Sequence, residues 1–533
     1  MAATTRRGFV TSAAAVPTIC AIDPFRLIDG RALAQSNGAS FAQGVASGQA
    51  TCGGITLWTR LDGLEASTRL SLEVARDPGF GKVVFADEPI AEAGRDFTVH
   101  TRLAGLDPGE QYFYRFSTAE NDSQVGRFRT SYPADSCQPV RVGFFSCQNY
   151  VEGFYTAHAG LAREDLDLVV CLGDYVYERT FGGMEVRQDP TGADGVSEVE
   201  TLPEYRAKYN LYHSDADLRA VRANHAMMAI WDDHEVEDNY AADEPGEATE
   251  QRDIPFGDRR RNGYQAFFEH MPRIKSGGDA DRIYGSLRLG GTAELFLLDQ
   301  RQYRDDQPCG DMLGSANCPE AFEEGRTLLG QAQKEWLKAG LADSEARWKL
   351  VGNQVMIMSL DLPAGNPLNP DQWDGYKAER EELIDHVNAE GITDVAFLTG
   401  DIHTFFAGQV TPSGRQPSQP QPGPAAATEF VGGSITSLGV ADRVSSDPRE
   451  RAILADLSDS SVRANNPHIV YSNQEVKGYG ILEASEGELL VSYRNPQTVL
   501  QPQSTVQTLQ RFRVESGTPE VETLGPPLGG TPN

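Results

Sequence analysis

The chain contains no run of eighteen or more apolar residues. A helix needs roughly that length to cross a bilayer, so an integral membrane protein is not expected. Basic residues are scarce: 47 Lys and Arg stand against 77 Asp and Glu, a formal net charge of −30. A nucleic-acid-binding surface rests on basic patches, and this balance argues against one. It suits solubility in salty or cation-rich surroundings. An enzyme acting on anionic esters with such a charge needs metal ions or a local arginine cluster to draw in its substrate. Internal repeats are absent. Cysteine is thin, with seven in 533 residues. Cys309 and Cys318 bracket the short loop CGDMLGSANC and read as a disulfide of an oxidising compartment. Cys171 lies inside an apolar run and reads as core. Cys52 and Cys137 are ambiguous, and Cys147 directly follows a strand.

Hydrophobic residues make up 39% and charged residues 23%, which fits a globular protein with a sizeable core. The length predicts two or more domains. Thr5-Arg6-Arg7-Gly8-Phe9-Val10 and the small residues after it resemble a twin-arginine export signal, with Ala32-Leu33-Ala34 as the cleavage candidate. Residues 1–34 are then a signal peptide, the partner is the twin-arginine export machinery, and the destination is periplasmic or secreted. A disordered basic start is the alternative.

Residues 38–132 read as an all-β domain. ITLWTRL, RLSLEVA, KVVFADE, DFTVHTRL, QYFYRFST and VGRFRT are short strands separated by turn residues. Leu106 to Tyr112 resembles the tyrosine corner of immunoglobulin- and fibronectin-like sandwiches. The expectation is a sandwich packed on the rest of the chain, covering a sheet edge. From Arg141 the pattern becomes α/β, with strands VRVGFF, LVVCL, AMMAIW, ELFLLD, WKLVG and VAFLT. Helices are predicted over 202–224 (two of them), 259–270, 330–342 and 376–390. Leu362 to Gly375 reads as a loop near the site or a lid, and residues 412–427 as a low-complexity surface loop. The second domain spans 137–516, and 517–533 read as a disordered tail.

Four strand ends carry chemistry. The first is Ser146-Cys147-Gln148, where a thiolate is a strong transition-metal ligand or, alternatively, a plain core cysteine. At the second, Gly173 permits a sharp turn that presents Asp174 at the carboxyl end of LVVCL, where ligands bind in open α/β sheets. Tyr177 follows three residues on, and the other reading is an Asp that caps a turn. The third is WDDHEVEDN, residues 231–239, in which His234 follows a buried strand inside an acidic run. Its pKa is expected to be raised, which suits a general acid. A solvated charged loop is the usual reading of such a run. The fourth is Gly400-Asp401-Ile402-His403, whose two ligand types point the same way in extended backbone.

Together Cys147, Asp174, Tyr177, Asp233, His234, Asp401 and His403 suit a hard or borderline trivalent ion beside a hard divalent one. With FSCQ, GDYVYE, WDDHEVEDN, LDQRQYRDDQPCGD, DQWDGY, LTGDIHT and NPH in this order, nearly the whole chain resembles the PhoD-like alkaline phosphatases within the calcineurin-like metallophosphoesterases. The resemblance implies a four-layer αββα metallophosphatase sandwich after the β domain. It places Cys147 at the first metal block, Asp174 as bridging carboxylate and Tyr177 as an iron-binding tyrosine. Asp233 stands for the Asn of GNHE and His234 for its catalytic His. Asp401 and His403 stand for GHxH, and Asn353 lies about where a lone His belongs. Ligand type then assigns Fe3+ to Cys147, Asp174, Tyr177 and His403, and Ca2+ to Asp174, Asp233, Asn353 and Asp401. Arg301, Tyr303 and Arg304 either approach the phosphate or hold the site. Trp373 and Tyr376 either shape the mouth or pin the loop.

The activity so implied is hydrolysis of phosphate mono- and diesters by a metal-held hydroxide, releasing phosphate outside the cell, with His234 as proton donor and no covalent phosphoenzyme. The alternatives are a phospholipase-D-like phosphodiesterase on the same scaffold, or a non-catalytic extracellular metal-binding or adhesion protein.

Overall fold

Every apolar run read above as a strand folds as one. Val140–Phe145, Leu168–Leu172 and Ala226–Ile230 are parallel neighbours, with Phe144 opposite Val170 and Cys171 opposite Ala229. Ala293–Leu297, Trp348–Asn353, Val395–Thr399 and Ala427–Gly432 run parallel in a second sheet. The structure, a computed structural model, describes residues 38–525 except 182–183, 196–197, 247–253, 276–280, 364, 413–422 and 446. The expected export segment therefore lies outside the described residues, as do most of the 412–427 loop and the end of the tail.

Side-chain alternation tells how the sheets stack. Leu295, Leu297, Leu350, Ala396 and Leu398 share one core with Val142, Phe144, Val170 and Leu172 of the first sheet. The residues between them, Phe296, Val351 and Phe397, share a second core with Leu337, Leu341, Leu383 and Val387. Those last four belong to helices Gln331–Asp343 and Lys377–Ala389. Leu161, Leu218 and Val221 of helices Thr156–Leu161 and Ala216–Asn224 belong to the first core. The result is the four-layer αββα sandwich, and removing one such buried leucine to Ala costs about 2–5 kcal/mol. The predicted helical stretch 202–224 is two helices, Leu202–His213 and Ala216–Asn224. The break falls at Asp215, whose side chain caps the second helix by accepting from Asp217 and Leu218 N–H.

The amino-terminal region is β-rich as expected, and its connection to the rest is closer than packing. Val83–Asp87, Ser71–Ala75, Gln111–Ser117 and Gly126–Arg129 form their own sheet. The tyrosine corner is present: the Tyr112 hydroxyl accepts from the Asp107 N–H at 3.0 Å. But Val45–Thr51, Gly54–Arg60 and Thr98–Ala104 continue the ten-stranded sheet of the larger region, with Ser47 opposite Ala226 in parallel. The edge beside Ala226–Ile230 is thus closed by backbone hydrogen bonds rather than by a separate body laid over it. Tyr479–Ala484, Glu488–Pro496 and Val506–Glu515 extend the same sheet on its other side. Among the described residues, no helix is long and apolar enough to cross a membrane.

Candidate active site

The carboxyl ends of both sheets meet at one place, and glycines let them do so. A Cβ on Gly173 would stand 2.5 Å from Asp232 Cβ, and one on Gly400 would stand 2.7 Å from Ser146 Cβ. Just beyond the strands, Cys147, Asp174, Asp401 and His403 have φ of 58°, 54°, 62° and 54°. Left-handed backbone at a non-glycine residue costs of order 1–3 kcal/mol, and such strain gathers at functional sites. Glu235 fastens two of these ends together. Its buried carboxylate accepts from the N–H groups of Asp174 at 3.2 Å, Asp232 at 2.8 Å and Tyr175.

Ligand atoms of Cys147, Asp174 and His403 lie within 4.8 Å of one another. The Tyr177 hydroxyl joins them, 3.1 Å from Asp174 Oδ2 and 3.2 Å from His403 Nε2. Burial pushes His403 down to about 3, so it is neutral. Its Nδ1–H donates to the Leu438 carbonyl at 2.8 Å, which leaves the Nε2 lone pair facing Tyr177 and Asp174. Two further groups meet the same closeness: Asp174, Asp233 and His234, and Asp232, Asp233 and Asp401. Asp174 and Asp233 are each shared by two groups, as bridging ligands are.

These residues fit metal ions. Asp174 Oδ1 and Asp232 Oδ2 are buried without a hydrogen-bond partner among the described residues. Burial, with Asp233, Asp232 and Glu235 adding to it and His234 opposing, holds Asp174 well above the usual carboxylate range. Burial and then Asp232 and Asp371 do the same to Asp401. Arg301 and the His234 ring sit among these acids, and the remaining buried excess of carboxylate calls for further positive charge.

His234 is held from behind. Its Nδ1 lies 2.8 Å from Glu178 Oε2, and its ring stacks on Tyr177 at 4.2 Å and meets Phe181 edge-on at 4.9 Å. Burial opposes a charged imidazole here, but Asp233, Glu178 and Asp174 outweigh it and raise the pKa well above the ordinary value. A cavity of about 610 Å³ opens over the cluster, and Asp174, Tyr177, Asp233, His234, Asp401 and His403 all line it.

Arg301, Tyr303 and Asn353 lie apart from the cavity lining. Arg301 does not reach the cavity: fully buried, it makes a two-pronged pair with Asp371 at 2.8 and 2.9 Å and a further bond to Asp232. Tyr303 packs against Tyr284 and Gly330 and does not line the cavity either. Asn353 is not brought into the acid cluster. Its Nδ2 donates to the Val355 carbonyl and Thr399 Oγ1, and its Oδ1 accepts from Trp373 Nε1 at 3.2 Å. Both ends of that amide are used by the protein. Trp373 and Tyr376 are buried and pin the loop; Tyr376 does so through Arg304 and the Asp305 carbonyl. Leu362, Leu368 and Asn369 of the same loop do line the cavity. Cys309 and Cys318 are bonded, Cys171 is buried, and Cys52 and Cys137 are free and exposed.

Sequence reasoning missed Glu178, Asp232, Glu235, Asp371 and Ser437 as parts of the site. Ser437 Oγ lies 2.7 Å from the Tyr177 hydroxyl and 2.8 Å from the Cys147 carbonyl. The acidic density of residues 231–239 was a signal for two of them. Nothing local marked Asp371 or Ser437.

Comparison with known proteins identifies the family. A family model described as PhoD-like phosphatase matches residues 142–493, and one described as its N-terminal domain matches residues 29–132. The chain is 34% identical over 491 residues to alkaline phosphatase D of Bacillus subtilis (strain 168), covering 89% of this chain and 80% of that protein. A solved structure of PhoD superposes with a TM-score of 0.81 at 31% identity, covering 94% of each chain. A purple acid phosphatase from yellow lupin (Lupinus luteus) seeds shares the fold, with a TM-score of 0.52 at 13% identity over 89% of this chain and 73% of that one. Fold, strand-end residues and both halves of the sequence lead to one conclusion: the chain belongs to the PhoD-like phosphatase family, a family of phosphoric ester hydrolases.

Proposed function

We propose that this protein is an exported, metal-dependent phosphoesterase of the alkaline phosphatase D type that hydrolyses phosphate mono- and diesters. The observation that carries the reading is the meeting of a thiol, a phenol, an imidazole and several carboxylates around Asp174, whose Oδ1 is unpartnered among the described residues, with His234 beside them on one open cavity. The named activity of the Bacillus relative supports it. Reading residues 1–34 as a twin-arginine signal gives the export.

Cys147, Asp174, Tyr177 and His403 offer the mixed donor set that suits Fe3+. Asp174, Asp233, Asp401 and Asp232 offer the oxygen set that suits Ca2+. When bound, such ions supply Lewis acidity toward phosphoryl oxygens and lower the pKa of water. The chain's own residues do the rest. Glu178 fixes the His234 ring, so its Nε2 meets the substrate and gives a proton to a phosphoryl oxygen or the leaving group. Arg443 is the one Arg or Lys side chain among the described residues lining the cavity. It offsets the acidic wall for an incoming anion.

The test is His234→Ala, assayed with elemental analysis. The expected result is a kcat lower by about 100- to 10,000-fold with iron and calcium retained. Loss of metal in step with activity would make His234 a ligand and remove the proton-donor role. Zinc alone in the native enzyme would overturn the Fe3+ and Ca2+ assignment.

A further inference from the structure

Building on the phosphoesterase reading, we propose that the site takes phosphate esters of long apolar alcohols, whose chain lies along an apolar wall leading from the metal-binding residues to the rim. The wall begins beside the catalytic groups. Ile402 lies between Asp401 and His403, the Leu438 carbonyl receives His403 Nδ1–H, and Phe406 and Val462 complete the inner surface. It continues outward through Leu362, Val440 and Leu313, which line the cavity although they are 36%, 45% and 69% exposed.

Fifteen large hydrophobic side chains are exposed among the described residues, and three of them, Leu313, Leu362 and Val440, line this one cavity. With the apolar side chains deeper in the cavity they make a continuous lining that a ligand can cover. Helix Pro448–Asn465 contributes Ser458, Ser461 and Val462 to the cavity lining. A site for a sugar or other polyol phosphate has no use for such a wall. An apolar chain attached to a phosphate has a use for both ends of it.

The reaction is ordinary ester hydrolysis. Oxygen from water bonds to phosphorus as the bond from phosphorus to the alcohol oxygen breaks, and the departing oxygen takes a proton. The products are the free alcohol and phosphate.

The experiment measures phosphate release by the metal-loaded enzyme from ethyl, butyl, hexyl and octyl phosphate, each kept below its micelle-forming concentration. Full burial of a methylene is worth roughly fourfold in binding, and half of that, roughly twofold, is expected on a wall open on one side. Octyl phosphate should then exceed ethyl phosphate in kcat/KM by at least about tenfold, and Val440→Ser and Leu362→Ser should each lower that ratio. A ratio within twofold of one overturns the proposal, as does a ratio that neither variant changes. Hydrolysis of none of the esters would instead overturn the phosphoesterase reading. A parallel assay on vesicles of phosphatidate in phosphatidylcholine distinguishes the source. Release from vesicles at a rate near that of octyl phosphate assigns chains drawn from a bilayer; release from the monomeric esters alone assigns dissolved ones.

Discussion

Glu178→Gln is the perturbation that best isolates how His234 is made to work. The Glu178 carboxylate is fully buried and lies 2.8 Å from His234 Nδ1, so the bond between them is charge-assisted when the ring is protonated. Gln keeps the shape and a carbonyl oxygen that can accept the same proton, and it deletes the charge. Charge-assisted hydrogen bonds contribute about 1.5–3 kcal/mol and neutral ones about 0.5–1.5, so the difference is about 1.5 kcal/mol. If the imidazolium donates in the transition state, kcat falls roughly tenfold. Glu178 also accepts from the Asp238 N–H at 3.3 Å, which Gln retains through one oxygen at most, so thermal melting must accompany the assay. The decisive pair of measurements is kcat on a small monoester and metal content. A kcat within twofold of the native enzyme would refute the reasoning. A fall that tracks lost metal would show that Glu178 supports the ligands and not the proton donor.

Arg443→Ala should raise KM for a monoester about tenfold while kcat changes less than threefold, because it removes attraction common to ground and transition states; steady-state kinetics at low and high salt check this, and the difference should shrink as salt rises. Burial pushes Glu429 from an ordinary 4.5 up to about 7, so its contribution to stability is whole below about 4.5 and is lost as pH rises through about 7. By linkage the native protein should lose about 3 kcal/mol more than Glu429→Gln between pH 4.5 and 8.5, and denaturant melts with parallel pH dependence would contradict this. Breaking the Cys309–Cys318 bond, which spans nine positions, should destabilise by about 2–3 kcal/mol. Melting of Cys318→Ser against the native protein measures it.

The residues proposed to bear the chemistry were legible because they sit where local pattern speaks. Apolar runs such as Leu168–Leu172 announce buried strands, and Gly-Asp at a strand's end announces a turn that presents a carboxylate. Asp401 and His403 stand two apart after another such run. Repeated ends of this kind in one α/β chain point to one edge, which is where they meet. The tyrosine corner and the helix break at Asp215 were readable for the same reason: each is settled within a few residues.

Only the tertiary structure decided what each group faces. Arg301 reads from sequence as a phosphate ligand or a brace. It braces, because Asp371, some seventy positions away, arrives with both oxygens at bonding distance. Asn353 occupies a ligand's place in the sequence order, yet Trp373 takes its carbonyl. Glu178 becomes the partner of His234 across 56 positions, and Ser47 pairs with Ala226 to merge two regions that composition separates. Strand period and turn chemistry are local, and sequence determines them. Which acid is neutralised by an arginine and which stays unpaired depends on distances of a few ångströms between distant segments, because buried charge interacts strongly over just that range.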